Sequence, residues 1–315
     1  MKKRIIFVGL LLLCSFKAEA FWVWTPESNQ WINPKYSVKE TPQEQLKYSI
    51  EFFDAGDTAK AIQEFRKLIK SFPRAREAAD AQYYVGRCLE KDGQFLKGFQ
   101  AYQVVIDKYP YSERGVEIIE RQFEIGNDLL EGKDTRNKFI KTVVGGDYDV
   151  VEIFRTVIKN APYGKFAAQA QYKIGLYLQE KQLFQEARDE FEKTMNDYPE
   201  SEWAKAAKYQ IALSDSSRSS HAQYDQKVTK SAIDEFETFV KENPQAELSG
   251  KAKDQIHQLR EKEAENNFLV AAFYEKNKKY QAAKLYYSTI VDDYRNTTWA
   301  PKALAKLREI NNIQK

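Results

Sequence analysis

Residues 184–199 read FQEARDEFEKTMNDYP and contain the pattern that decides the fold. A small residue, Ala187, is followed four positions later by the bulky Phe191, and the apolar helix pattern then ends at a Tyr-Pro pair. Residues 58–73 repeat the pattern closely, residues 95–110 repeat it loosely, and weaker copies bring the number to six. Self-similarity of this kind is typical of stacked helix pairs, each too small to bury its apolar face alone. We therefore predict a repeat protein built from helices.

Small residues stand where the two helices of a pair would approach closely. Gly86 and Gly175 lie on first helices, and the bulky Tyr102 and Phe191 on second helices would fill the space beside them. This arrangement resembles the tetratricopeptide repeat. It predicts an all-α fold, a tetratricopeptide-type α-solenoid of about six helix pairs plus a closing helix. We expect the pairs at about residues 42–72, 76–109, 113–159, 165–198, 202–242 and 249–294, and the closing helix at about 299–312.

The start of the chain has the pattern of an export signal. Basic residues 2–4 precede an apolar run at residues 5–13, and Ala18 and Ala20 form a small-x-small cleavage site before Phe21. The apolar run is shorter than the roughly 20 residues that a membrane-spanning helix needs. We therefore predict a signal peptide that is cleaved after Ala20.

Cys14 leads to a different prediction for the same segment. It directly follows the apolar run, where a bacterial lipoprotein carries its acylated cysteine, but such sites usually have a small residue before the cysteine and Leu13 stands there. We favour cleavage after Ala20 and keep lipidation of Cys14 as the alternative. After cleavage at Ala20 the exported chain would be held in place by protein partners, whereas lipid on Cys14 would attach it to a membrane.

Charge and composition exclude several classes of function. Removing the leader's four basic residues and one acidic residue from 49 and 46 leaves 45 of each, which gives no basic surface for nucleic acid. His221 and His257 are the only histidines and lie 36 positions apart, so no metal site is predicted. Cys88 stands among apolar residues and is predicted to be buried. Without a phosphate-binding loop or nucleophile motif, we predict no enzyme and no cofactor.

Two kinds of segment depart from the repeat pattern. Residues 21–40 form a Pro-broken, non-helical arm with three of the five tryptophans, and this arm either docks on a partner or membrane interface or caps the first repeat. Residues 131–149 and 214–229 lengthen two repeats, and each is either a partner contact or a solvated loop or helix extension. The predicted organisation is a signal peptide (1–20), the arm (21–40), N-terminal repeats (41–162) and C-terminal repeats (163–313).

The first helices of several pairs carry a mixture of aromatic, aliphatic and basic residues at inward positions. A groove of this composition suits an extended peptide with apolar side chains. The alternative for any one of these residues is packing against a neighbouring helix. The predicted peptide-groove residues are Leu46, Ile50, Phe53, Tyr83, Arg87, Tyr172 and Leu176.

The export signal, the degenerate repeats and two stretches, GDTAKAIQEF at 56–65 and residues 265–293, together resemble BamD, the outer-membrane protein assembly lipoprotein family. The closing part is the more specific, with AAFYEK at 271–276, YQAA at 280–283 and a last helix containing ALAKL at 303–307. Leu13, which precedes Cys14, departs from the pattern of that family, in which a small residue stands before the acylated cysteine.

The resemblance implies a non-enzymatic scaffold on the periplasmic side of the outer membrane. Its N-terminal repeats would receive nascent outer-membrane β-barrel proteins, and its C-terminal repeats would bind a BamA-like barrel subunit. The residues expected to contact that subunit are Phe273, Tyr274, Tyr280 and Tyr294. A generic periplasmic adaptor for cell division, envelope maintenance or polysaccharide export is the alternative that the repeats alone allow.

Overall fold

A computed structural model of the chain describes residues 23–25, 30–32, 37–132, 150–221 and 226–313. These residues form 13 helices and one short β-hairpin. The predicted all-α fold is therefore confirmed, and the helices described correspond to six pairs and a closing helix. The predicted signal peptide and most of the 131–149 segment lie outside the described residues.

The helices are α1 (Pro42–Asp54), α2 (Thr58–Ser71), α3 (Arg76–Lys91), α4 (Phe95–Lys108), α5 (Gly115–Leu130), α6 (Val150–Asn160), α7 (Ala167–Glu180), α8 (Phe184–Asp197), α9 (Glu202–His221), α10 (Gln226–Glu242), α11 (Glu247–Lys276), α12 (Tyr280–Asp293) and α13 (Ala300–Ile313). The strands are β1 (Val23–Thr25) and β2 (Gln30–Ile32), which pair antiparallel. The chain divides after Arg114 into two compact units, called here the N-terminal unit and the C-terminal unit. The division predicted at residue 162 stays a prediction about the repeats.

Paired helices approach closely at the glycines that the sequence singled out. A Cβ atom built on Gly86 would lie 2.5 Å from Cε1 of Tyr102, and one built on Gly175 would lie 2.5 Å from Cε1 of Phe191. Both rings are fully buried. Burying a ring of this size contributes about 1.5–3 kcal/mol. Because Gly86 and Gly175 have no side chain, each leaves space for one such ring in the core.

A buried hydrogen bond joins the two helices of a pair in each unit. The Gln45 side chain donates to a Glu64 carboxylate oxygen at 3.1 Å in the N-terminal unit, and Gln171 donates to Glu190 at 2.6 Å in the C-terminal unit. In each pair the two residues are 19 positions apart, and both are buried. Since an unpaired buried carboxylate would be costly, the amides help to hold these helices in register.

The second helices end where the Tyr-Pro pattern predicts. The backbone N–H of Tyr198 closes α8 by donating to Thr194, and Pro199 follows, which cannot continue the helix. The Ser201 hydroxyl oxygen then accepts a hydrogen bond from the Ala204 N–H at 3.1 Å and so caps the start of α9. The Ser201 hydroxyl also donates to the Tyr198 carbonyl oxygen at 2.7 Å, and the Thr297 hydroxyl donates in the same way to the Tyr294 carbonyl oxygen at 2.7 Å.

The turn between paired helices needs a residue with left-handed backbone. Glycine occupies this position in the N-terminal unit, where Gly56 and Gly93 have φ of +83° and +69°. In the C-terminal unit Gly132 (φ +72°) follows α5 in the same way, but after α7 and α11 the position is held by Gln182 (φ 62°) and Lys278 (φ 58°), which have no such freedom. These two residues are therefore sites of local backbone strain.

The serine-rich segment 214–229 is helical where the structure describes it. It extends α9 to His221 and begins α10 at Gln226. Ser214 and Asp215 are buried, so this extension packs against neighbouring helices along one face.

Candidate protein-interaction surfaces

Three predicted groove residues meet in the N-terminal unit. Phe53 ends the apolar face of α1, and the Arg87 guanidinium on α3 lies 5.9 Å from the centroid of its ring. Arg87 also donates a hydrogen bond to the Tyr83 hydroxyl at 2.8 Å. Burial opposes the charge of Arg87, but the hydrogen bond to Tyr83 and nearby negative charge outweigh burial and raise its pKa. The arginine is therefore a fixed cation beside an aromatic ring.

These side chains border a cavity of about 280 Å³, called here the N-terminal groove. It is lined by Phe53, Arg87, Glu90, Lys91 and Phe95. The Lys91 ammonium lies 5.3 Å from the centroid of the Phe53 ring, so two cations lie near the same aromatic ring. The groove thus combines an apolar surface with positive charge.

The other predicted groove residues have different surroundings. Leu46 and Ile50 are partly buried and pack against the core of the N-terminal unit. Tyr83 is 1% exposed, so its ring has almost no surface for a peptide. Tyr172 is buried and Leu176 packs beside it, both in the C-terminal unit. For Tyr83 and Tyr172 the structure favours packing, which was the alternative allowed by the sequence.

Sequence reasoning missed Glu90, Lys91 and Phe95. Lys91 lies one helical turn after Arg87 on α3, a spacing that places both cations on one face. That spacing is readable from the sequence, whereas the approach of Phe95 depends on the turn between α3 and α4.

An apolar stripe lies on the second half of α11 in the C-terminal unit. Phe273 is 64% exposed, and Leu269, one helical turn earlier, is 60% exposed. Because residues four apart share a helix face, the two form one exposed apolar surface, called here the α11 stripe. Phe273 was a predicted partner contact, while Leu269 was missed, since the repeat pattern does not show which apolar residues remain in water.

The remaining predicted partner contacts are partly buried. Tyr274 stacks on Tyr286 with ring centroids 5.7 Å apart, and Tyr280 packs against the same core. Tyr294 is half-buried, and burial together with the carboxylate of Glu263 raises its pKa to about 12. Of the three, Tyr274 also meets the Phe273 ring edge to face, with the centroids 5.8 Å apart.

A larger cavity of about 530 Å³ lies between α8, α9 and α10. Arg188 stands at its wall and contacts three carboxylates, those of Glu192, Asp215 (3.3 Å) and Glu235 (3.2 Å). Burial and the neighbouring Asp215 raise the pKa of Glu235, although Arg188 opposes this. One carboxylate oxygen of Glu235 is buried and has no hydrogen-bond partner in the described part of the chain. This cluster was not anticipated.

Cys88 is the one cysteine in the described residues and is fully buried, as predicted. Burial, with a smaller contribution from Asp92, raises the pKa of its thiol to about 12, so it is a packing residue and not a nucleophile. Within the described ranges no group of His, Cys, Asp or Glu side chains is arranged to hold a metal. None of the helices described there is both long and apolar enough to span a membrane. The predicted processing residues Cys14, Ala18, Ala20 and Phe21 lie outside the described residues.

Solved structures similar to this chain are repeat proteins. A tetratricopeptide-repeat protein from Cytophaga hutchinsonii is 14% identical, with 84% of this chain and 88% of that chain covered and a TM-score of 0.38. One from Parabacteroides merdae is 13% identical, with 86% and 99% covered and a TM-score of 0.37. MamA from Desulfovibrio magneticus is 15% identical, with 66% and 99% covered and a TM-score of 0.34. These values are too low to transfer a function, and the search of curated proteins found no match.

Family models match two regions of the chain. The tetratricopeptide repeat matches residues 49–113, which confirms the repeat type predicted from the sequence. The model described as YfiO, outer membrane lipoprotein, matches residues 151–314. Because this second match spans more than half of the chain, the protein belongs to the YfiO family of outer membrane lipoproteins, the family of BamD.

Proposed function

We propose that this protein is a non-enzymatic scaffold at the periplasmic side of the outer membrane that binds unfolded β-barrel proteins and a BamA-like barrel subunit. The observation that carries the proposal is the family match over residues 151–314, which contains the α11 stripe. Tetratricopeptide repeats in the N-terminal unit support a role in binding proteins.

The α11 stripe is the surface that we assign to the barrel subunit. Leu269 and Phe273 expose most of their side chains on one face of a helix whose other face is anchored in the core. A pair of large apolar side chains held on a rigid helix is a typical centre for a protein contact. Removing both side chains should weaken binding about 10- to 100-fold, the range expected for residues at the centre of an interface.

The N-terminal groove is the site that we assign to the unfolded substrate. Strands of outer-membrane barrels alternate apolar and polar side chains. An apolar side chain of such a strand would enter between Phe53 and Phe95, and a carboxylate two positions away, on the same side of the extended peptide, would meet Arg87 and Lys91. Residues two apart in an extended peptide point to the same side, so both side chains can reach the groove.

The test for the first contact is binding of the purified protein to the periplasmic domains of a BamA-like subunit, measured by calorimetry. The variant is Leu269→Ser with Phe273→Ser, and the matched control is Tyr111→Ser with Tyr163→Ser, because those tyrosines are 98% and 97% exposed. The proposal expects binding by wild type and control, and strong loss in the stripe variant. Failure of the wild type to bind would overturn it and favour the generic periplasmic adaptor.

The test for the groove uses a fluorescent peptide from a barrel strand and fluorescence anisotropy. Lys91→Glu should weaken binding of a peptide with an acidic residue about tenfold or more, since it places a negative charge beside that carboxylate. Lys70→Glu is the control, because Lys70 is also an exposed lysine in the N-terminal unit but does not line the groove. Equal loss in both variants would contradict the assignment of the groove.

A further inference from the structure

The hairpin formed by β1 and β2 presents two tryptophans side by side. Trp24 and Trp31 are directly opposite each other in the antiparallel register, so both indoles project from the same face. Their ring centroids are 5.7 Å apart and the rings meet edge to face at 61°. Trp24 is 43% exposed and Trp31 is 62% exposed. The pair therefore contacts itself and still leaves a large aromatic surface in water.

This exposure bears on the two roles that the sequence allowed for the arm. An arm that caps the first repeat would bury its aromatic face against that repeat. A docking arm would keep the face accessible, and the exposed fractions of Trp24 and Trp31 favour this second role.

The chemistry of the pair fits the interfacial region of a lipid bilayer. An indole is a large apolar ring with one N–H donor, and tryptophan is enriched where headgroups meet acyl chains. Residues 21–34 contain a single charged residue, Glu27, so little charge has to be brought close to the bilayer.

The position of the hairpin in the chain points to the same partner. The protein belongs to a family of outer membrane lipoproteins, and Cys14 is the residue at which the sequence allows a lipid. Trp24 comes ten residues after Cys14 and three after Phe21. A chain reaches at most about 3.6 Å per residue, so lipid on Cys14 would hold Trp24 within about 36 Å of the bilayer.

We propose that the paired indoles of Trp24 and Trp31 insert into the interfacial region of a phospholipid bilayer and hold the N-terminal end of the chain against the membrane. This goes beyond the proposed function, since it requires neither a peptide nor a barrel subunit. If Cys14 is acylated, the hairpin is a second attachment, and stable anchoring generally takes two signals. If the chain begins at Phe21, the hairpin is itself the membrane contact.

The test is co-sedimentation of the processed protein with vesicles of phosphatidylethanolamine and phosphatidylglycerol. Every sample is the chain that begins at Phe21, the predicted mature start, so Cys14 and any acyl chain on it are absent from all of them. Trp24→Ser with Trp31→Ser is compared with the exposed-tyrosine control, Tyr111→Ser with Tyr163→Ser. Far-ultraviolet circular dichroism verifies that the helices remain folded in each variant.

The proposal expects sedimentation of the parent protein and the tyrosine control, at least about tenfold weaker partitioning of the tryptophan variant, and little change in about 0.5 M salt. Bromine-labelled lipids should quench the parent's tryptophan fluorescence more strongly than that of the tryptophan variant, which retains Trp22, Trp203 and Trp299. Absence of binding by the parent, equal binding by the tryptophan variant, or loss of binding in salt would overturn the proposal. So would a tryptophan-dependent interaction seen with a protein partner but not with vesicles.

Discussion

Replacing Gly86 by alanine should destabilise the N-terminal unit, although alanine is the better helix former. A Cβ at this position would lie 2.5 Å and 2.7 Å from two ring carbons of Tyr102. Carbon atoms normally approach to about 3.5–4.0 Å, so the ring would have to move by about 1 Å. Tyr102 is fully buried and its hydroxyl donates to Glu90 at 2.7 Å, which leaves the ring little room to move.

The expected change in the free energy of unfolding for Gly86→Ala is the difference of two opposing effects. Forcing an extra methyl group into a packed core costs about 1–3 kcal/mol, and removing glycine from a helix interior returns about 0.5–1 kcal/mol. We therefore expect Gly86→Ala to lower the free energy of unfolding by up to about 2.5 kcal/mol, and by about 1 kcal/mol at the middle of the two ranges. Gly250→Ala is the matched control, because Gly250 lies inside α11 with no other atom within 4 Å of a built Cβ. It should stabilise its own region by about 0.5–1 kcal/mol.

Urea unfolding followed by circular dichroism measures the stability change in Gly86→Ala and in Gly250→Ala. Hydrogen exchange on peptides from α3 and α4 shows whether the loss in Gly86→Ala arises there. In the double variant Gly86→Ala with Tyr102→Leu, the loss of stability should be smaller than the sum of the two single losses, because the shorter side chain leaves space for the new methyl group. If Gly86→Ala stabilised the protein as much as Gly250→Ala does, the helices could not be as close at Gly86 as the structure places them.

Three further predictions concern other positions. Gln182→Gly and Lys278→Gly should each raise the free energy of unfolding by about 1 kcal/mol, because glycine adopts the left-handed backbone without strain; a drop in the midpoint of thermal unfolding would contradict this. Glu235→Gln should flatten the pH dependence of stability. Burial and Asp215 raise the pKa of Glu235, so the folded protein loses stability as the pH rises from the ordinary glutamate range through this raised pKa. Urea unfolding at several pH values measures this dependence, and an unchanged slope of stability against pH would refute the prediction. Cys88 should resist a thiol reagent in the folded protein and react after unfolding in urea, because its thiol is buried and its pKa is raised to about 12; rapid modification of the folded protein would show that α3 opens easily.

The repeat architecture was predictable because it depends on short spacings. The distance from Ala187 to Phe191, and on to Pro199, reports packing and termination within one helix. The role of Gly86 was predictable for the same reason, since a glycine at the centre of a good helix sequence needs a packing cause.

The surfaces were harder to predict because they depend on contacts between distant residues. Arg188 meets Asp215 and Glu235, which lie 27 and 47 positions further along the chain. The hairpin at Trp24 was missed as a strand pair because each strand has only three residues, too few for an alternating pattern. Apolar residues such as Leu269 satisfy a helix pattern equally well in the core and in water.

Helix α11 belongs to two cores at once. Its first half supplies Ala252 and Leu259 to the cluster around Phe236, and its second half supplies Ala264 and Ala271 to the cluster around Tyr287. With 30 residues at about 1.5 Å each, it is a rod of roughly 45 Å without a break. Because one unbroken helix contributes to both cores, we expect the last two repeats to move together when a partner binds at Phe273.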